Sequence, residues 1–218
     1  VFGDWQRPYL TLDPAFEAAQ VRGFAQIIAN GHLQRGYKPV HWCLDCGSAL
    51  AEAEVDYKDK TSIAIDVKFP VVDEQAFFGC FHNVPGHHGE GQMSVVIWTT
   101  TPWTLPANLA VALHPNFEYV IVQAETAHGK ERLVVAQELM KDTLARYGID
   151  DYQVLAYGNG AALDGQKLRH PFYDRESLLI VGDHVTLEAG TGAVHTAPGH
   201  GQEDFVIGQQ YGLETYNP

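Results

Sequence analysis

Basic residues are scarce in this chain of 218 residues. Fourteen lysines and arginines stand against 27 aspartates and glutamates, a formal net charge of −13. That balance excludes a protein that grips nucleic acid along a broad basic face, though not one that receives a single nucleic-acid end delivered by other domains. Cysteines number three, an odd count that builds no secreted disulfide framework, and a cytoplasmic protein is expected. No run of about 18 apolar residues occurs, so neither a transmembrane helix nor a membrane partner is expected. The opening VFGDWQRPYL has no basic region leading into an apolar stretch and is not read as a signal peptide. Beginning at Val1 without a Met, the chain is expected to be a segment of a longer protein. Also missing are a G-x-S-x-G elbow, a P-loop Gly-Lys-Ser/Thr and a G-x-G-x-x-G after a strand. Gly190-Thr191-Gly192 is too short to cradle a phosphate. Hydrolysis through a protein nucleophile and hydrolysis of nucleotides both lose ground.

What is present supports a folded core: 45% hydrophobic and 11% aromatic residues. Residues 13–31 read as a helix. Asp13 is the N-cap, Pro14 takes the first helical position, Phe16, Ala19, Phe24, Ile27 and Ile28 form a stripe, and Asn30-Gly31 ends it. From about Pro39 the chain is mostly strand-like: VHWC, SIAIDVKF (62–69), MSVVIWTT (93–100, apolar enough for burial on both faces), FEYVIVQA (117–124), YQVLAYGNG, SLLIVGDHVTL and TGAVHTA. RLVVAQELMKDTLARYG starts as a strand and turns helical, with Leu139, Leu144 and Tyr147 on one side. EDFVIGQQYG (203–212) has Phe205, Val206 and Gln209 at helical spacing. FHNVPGHHGEGQ (81–92) is the expected loose loop. The fold class is α+β and mostly β, a barrel-like sheet, closed or nearly so, decorated by a few helices.

Two stretches concentrate polar groups. WTTTPWTLPAN (98–108) crowds Thr99, Thr100, Thr101, Thr104 and Asn108 against a strand end frozen by prolines. Strand propensity explains each threonine singly but not their crowding. GTGAVHTAPGHGQEDF (190–205) runs from a glycine turn through His195 to Gln202-Glu203-Asp204 at a helix start. There the macrodipole alone favours carboxylates, and His195 alone is readable as a half-buried structural histidine. Cys43-Leu-Asp-Cys46 offers two thiolates at zinc spacing. Tetrahedral zinc takes four ligands, no second C-x-x-C exists, Cys80 is lone, and His41 or His82 help only if the fold brings them near. The pair reads as reduced thiols or half of a site; it opens no apolar helix, as a thioredoxin-like role requires. His82, His87 and His88 match no metal-ligand spacing and read as a solvated loop.

The two polar stretches together, about 85 residues apart, resemble the walls of the editing site of bacterial isoleucyl-tRNA synthetases, in the insertion called connective polypeptide 1. KPVHWCLDCGSALAEAEVDY (38–57) resembles the root of that insertion, and the resemblance covers essentially the whole chain. The related valyl and leucyl enzymes look like Thr-Thr-Arg-Pro where this chain has Thr-Thr-Thr-Pro-Trp, and they diverge at His195. Implied are residues 1–37 as an N-terminal helical segment of the insertion and 38–218 as the editing core, together one structural domain. The HIGH and KMSKS signatures of aminoacylation are absent. The second ligand pair of the family's nearby zinc site is absent too, so no cofactor is expected beyond a partial site at Cys43 and Cys46.

The implied activity is hydrolysis of valyl-tRNA(Ile). Valine lacks one methylene of isoleucine, worth about 1–3 kcal/mol or roughly 10–200-fold, a range known from the isoleucine enzymes themselves and taken as given. A second, size-excluding pocket makes up the shortfall. The resemblance implies a catalytic set of Asp204, Thr100, Thr101 and His195. Asp204 receives the α-ammonium group, His195 sets the pocket's size, and the threonines, with Thr104, bond the ester, the terminal adenosine or the attacking water. Substrate contacts are further implied for Thr99, Thr104, Trp103 (packing the wall), Asn108 (orienting the strand) and His200, with no metal. No nucleophile is evident, so water attacks directly, aided by the vicinal ribose hydroxyl. The partners implied are the valine-bearing tRNA(Ile) 3′ end and the rest of the synthetase, with the chain a monomer. The competing readings are a catalytically silent module that binds the tRNA 3′ end, editing in a valyl- or leucyl-type enzyme, and, more distantly, a metal hydrolase.

Overall fold

Asp13 opens the first element, accepting the amide of Ala15 at 2.8 Å through its side chain. Helix α1 (Pro14–Ala29) follows, with Pro14 in the first turn, and ends at Asn30 and Gly31, whose φ of +76° favours glycine. None of its residues is buried: the expected stripe leaves Phe24, Ile27 and Ile28 about half exposed. The computed structural model describes residues 3–83 and 88–218. The chain divides into two compact units, Val1–Tyr37 and Lys38–Pro218.

The second unit begins with a hairpin, β1 (His41–Cys43) and β2 (Ser48–Leu50), turned at Gly47 with φ +60°. Then come β3 (Ile65–Pro70), helix α2 (Glu74–Gly79), β4 (His82–Asn83), β5 (Met93–Thr99) and β6 (Ala110–Leu113). After these run β7 (Glu118–Thr126), β8 (Gly129–Ala136), α3 (Met140–Arg146), β9 (Tyr152–Asn159), β10 (Lys167–Arg169), β11 (Glu176–Val181), β12 (Ala193–Thr196) and α4 (Gln202–Gln210). A six-stranded sheet has the order β3-β5-β8-β7-β9-β4, and a four-stranded sheet the order β10-β11-β6-β12.

Burial arranges these as layers. The main core lies between the two larger sheets, uniting Val95, Ile97, Ile121 and Val134 of one with Val111, Leu113, Leu168 and Leu179 of the other. The outer face of the six-stranded sheet (Val96, Val120, Val122, Leu133) packs on Met140 and Leu144 at α3. The outer face of the four-stranded sheet (Ala110, Ala112, Ile180) packs on Ile207 of α4. Each sheet is thus covered on both sides, which is why β5 reads as a nearly continuous apolar run: alternate residues serve different cores.

The mostly β, helix-decorated class holds, but the sheet does not close. Among the described residues the two larger sheets pair at their edges through the bridge Val71–Leu168 and the bond from Val72 N to Lys167 O, 3.0 Å, too little pairing for a barrel. Several expected boundaries shift. β3 begins at Ile65 rather than Ser62. β11 stops at Val181: after a last bond from Gly182 N to Leu113 O of β6 the chain turns, with Val185 N returning to Gly182 O, so GDHVTL is not strand. α4 buries Ile207 and Gly208 and leaves Val206 half exposed, a face offset from the one expected. β6 and α2 were not expected; Asp73 caps α2 through the Ala76 amide, 3.0 Å. Of the expected loose loop, 84–87 (with His87) lie outside the described residues. His82 forms β4 against Tyr157, and 88–92 are pinned by Arg132 on the His88 and Gly91 carbonyls and by Gln123 on Glu90.

Candidate functional site

The threonine run sits where β5 leaves the sheet. Thr99 is buried, and its hydroxyl accepts the Thr101 amide at 3.1 Å and meets the Thr101 hydroxyl at 3.2 Å. Pro102–Ala107 form a short 3-10 segment in which two prolines fix the backbone. Within it the Thr104 hydroxyl donates to Thr101 O, 2.8 Å. Its remaining lone pairs face Nε2 of His195, also at 2.8 Å. Residues 91 positions apart are thereby joined, and the two polar stretches meet.

His195 lies on β12, paired opposite Val111 of β6, and is 6% exposed. Because Thr104 spends its proton on Thr101 O, Nε2 of His195 is the protonated nitrogen and Nδ1 carries a bare lone pair. Among the described residues that Nδ1 is buried without a partner; the Thr196 hydroxyl, also unpartnered, points to the opposite face of β12. Burial, with His200 and His170 nearby, pushes the His195 imidazole down to about 4, so it is neutral at neutral pH. The site therefore holds an unspent lone pair that a bound polar group would satisfy.

Beyond β12 the chain turns through Ala197-Pro198-Gly199-His200 into α4. Oδ2 of Asp204 accepts the Ala197 amide at 2.9 Å, folding the carboxylate back over the helix start. Gly201 lets the carboxylate lie close, since a Cβ there would stand 3.1 Å from Asp204 Cγ and would press on it. Burial raises the Asp204 carboxyl; the Ala197 N–H and the neighbouring His184 and His200 pull it the other way. Among the described residues Oδ1 has no hydrogen-bond partner, which leaves it for a cation.

Other expected site residues fall differently. Thr100 and Thr101 are exposed beside this junction, and the Thr100 carbonyl accepts from Ser62 at 2.9 Å. Trp103 is 67% exposed and packs no wall; it stands outward because the prolines turn its side of the segment to solvent. Asn108 is fully buried, donating to Ala110 O and accepting from Ser177, each 2.7 Å, so it orients the segment from within the core. His200 is exposed and lines a cavity of about 340 Å³ with Lys38, His41 and Glu52 by the β1–β2 hairpin. Two residues that the sequence did not single out support the turn from below. His170, 5% exposed, donates from Nε2 to Leu105 O at 2.9 Å, and Arg175 donates to Pro106 O. Only the fold brings them there, 65 and 69 positions away in sequence.

In the hairpin, Cys43 Sγ accepts the Cys46 amide at 3.4 Å, and this bond, with the Cys46 side chain and the Asp45 amide, lowers the Cys43 thiol. Two thiols on one turn with amides aimed at sulfur fit half of a tetrahedral metal site. Among the described residues no group of three His, Cys, Asp or Glu could hold a metal.

Residues 1–198 match the protein family described as tRNA synthetases class I (I, L, M and V). The chain belongs to that family. Its whole length is 63% identical to part of the isoleucine--tRNA ligase of Methylococcus capsulatus and 58% identical to part of that of Aeromonas hydrophila. In both cases it spans 23% of the relative's length. The fold is similar to the editing domain of P. falciparum cytosolic leucyl-tRNA synthetase, with a TM-score of 0.56 at 14% identity, over 71% of this chain and 69% of that one. This segment of a class I synthetase family thus carries an editing-domain fold, with its two polar stretches in contact.

Proposed function

We propose that the chain hydrolyses the ester of valyl-tRNA(Ile), as the editing part of an isoleucine-activating synthetase. The observation that carries this reading is the contact of Thr104 with His195, which joins the two polar stretches: a neutral imidazole with an unspent lone pair, held by a threonine hydroxyl, on the strand that leads into the turn closed by the Asp204 carboxylate. The α-ammonium group of the aminoacyl ester binds Oδ1 of Asp204 through a charge-assisted hydrogen bond. The valyl side chain lies against His195, whose buried ring limits its size. Thr100 and Thr101, exposed at the strand end, orient the attacking water or the ester. Aminoacyl esters are already activated, so placing water and stabilising charge suffice without a protein nucleophile.

The 58–63% identity to isoleucine--tRNA ligases supports the isoleucine assignment. The acidic balance supports a division of labour in which the remainder of a longer synthetase binds the tRNA body. On this reading the chain acts in the cytoplasm as part of a monomeric enzyme; among the described residues no helix is long and apolar enough to cross a membrane. Cys43 and Cys46 would hold half of a structural zinc, completed by ligands from outside this chain, and take no part in hydrolysis.

The deciding experiment is deacylation of valyl-tRNA(Ile) by Asp204→Ala. The rate should fall by roughly 100-fold or more, because the ammonium loses its only proposed charged partner, with an unchanged circular dichroism spectrum. Full activity in this variant removes Asp204 from the site. An unsubstituted chain that binds acylated tRNA but never cleaves it is a binding module instead.

A further inference from the structure

The segment beneath the threonine turn presents to solvent a group of side chains that the proposed hydrolysis does not use. Phe172 and Tyr173 are 55% and 48% exposed, with ring centroids 4.8 Å apart. Both are held in place: Nδ1 of the buried His170 accepts their backbone amides at 3.3 and 3.1 Å, and its ring lies 4.5 and 5.1 Å from theirs. Beside them the Arg175 guanidinium lies between two aromatic rings, 5.2 Å from the centroid of Tyr173 and 5.1 Å from that of Tyr216. Its only hydrogen bond among the described residues is to the Pro106 carbonyl, and its Nε is buried without a partner. No carboxylate among the described residues pairs with it, in a chain where acids outnumber bases by 27 to 14.

The position of this group matters as much as its composition. Through Pro106 and Leu105 it is bonded to the turn that carries Thr104. Through Tyr216 it reaches the other wall, because the Tyr216 carbonyl lies 2.7 Å from where a Cβ on Gly199 would stand, in the loop between His195 and Asp204. An unneutralised cation flanked by exposed, preorganised rings at the rim of such a site has the chemistry of a single-stranded nucleic-acid platform. Bases stack on the rings, and the guanidinium takes the phosphodiester.

We infer that Phe172, Tyr173, Arg175 and Tyr216 form a rim that receives the nucleotide preceding the terminal adenosine of the tRNA. Its base stacks on Phe172 or Tyr173, and its phosphodiester is drawn to Arg175. The inference rests on the reading of the site as one for an aminoacylated tRNA end and adds the surface that holds the end in place. It also gives an acidic chain a local means of gripping RNA.

The test compares the unsubstituted chain with Phe172→Ala and Arg175→Lys. Phe172 is exposed, so its loss leaves the core intact; lysine keeps the charge at 175 but loses the planar fork and the stacking. In steady-state deacylation of valyl-tRNA(Ile), KM should rise roughly tenfold in each variant, while kcat stays within about twofold in Phe172→Ala. Binding of an unacylated oligoribonucleotide ending in CCA, followed by the chain's intrinsic fluorescence, should weaken by a similar factor. Unchanged KM in both variants overturns the inference. So does a fall in kcat at constant KM, which marks a purely structural segment, and so does failure of the unsubstituted chain to bind the oligonucleotide. A chain that cleaves no ester yet binds the oligonucleotide through Phe172 and Arg175 sinks the hydrolytic reading and keeps this one.

Discussion

His195 occupies a place where a protonated imidazole would be costly. The ring is 6% exposed, and its pKa lies at about 4 against an ordinary value of 6.5. The unfolded chain therefore binds this proton more readily than the folded one, and stability falls as pH drops from 6.5 to 4, by up to about 3 kcal/mol from this residue alone. Asp204 works in the opposite direction over its own range, because burial raises its carboxyl and the folded chain holds that proton more tightly. Urea unfolding at pH 7 and pH 4.5 should show the His195 loss, and His195→Gln should remove most of the difference. The same ring is the proposed size limit. His195→Ala should open room for one more methylene, and the ratio of valyl- to isoleucyl-tRNA cleavage should drop roughly tenfold or more; an unchanged ratio places the gate elsewhere.

At the scale of elements, the proline-fixed segment 102–107 is held by its neighbours more than by itself. Asn108 ends it and is bonded to Ala110 O and to Ser177 on β11. Asn108→Ala strands two buried polar groups and should cost about 2–4 kcal/mol, visible as a lower melting temperature, with a parallel loss of deacylation as the threonines lose register. Such dependence on distant partners explains what was legible in the sequence and what was not. Local chemistry announced the Asp13 cap, the doubly buried β5 and the helix stop at Gly31, since each rests on neighbours within a few residues. The crowding of threonines and the glycine-to-acid stretch marked two polar sites, and the Thr104–His195 contact joins them. β6 was missed because four residues carry too little periodicity, although it is a central strand of its sheet. Trp103 was expected to pack the wall of the site, but prolines on both sides set its direction first. His170 and Arg175 had no local signal at all; their meaning lies in carbonyls that only tertiary contact supplies.

For the whole molecule, charge sets the affinity for RNA. With a formal charge of −13, the chain by itself should bind intact tRNA weakly, with a Kd above about 1 µM at physiological salt. Fluorescence anisotropy with labelled tRNA measures this directly, and tighter binding contradicts the proposed division of labour. The layered build has a consequence for selectivity. Thr104 hangs from the end of the six-stranded sheet, whereas His195 belongs to the four-stranded one. The two sheets share little edge pairing, so the bulk packed between them sets their separation. Ala136 and Ala193 lie in that gap, so on the proposed reading the width that separates one amino acid from the next is a dimension of the hydrophobic core.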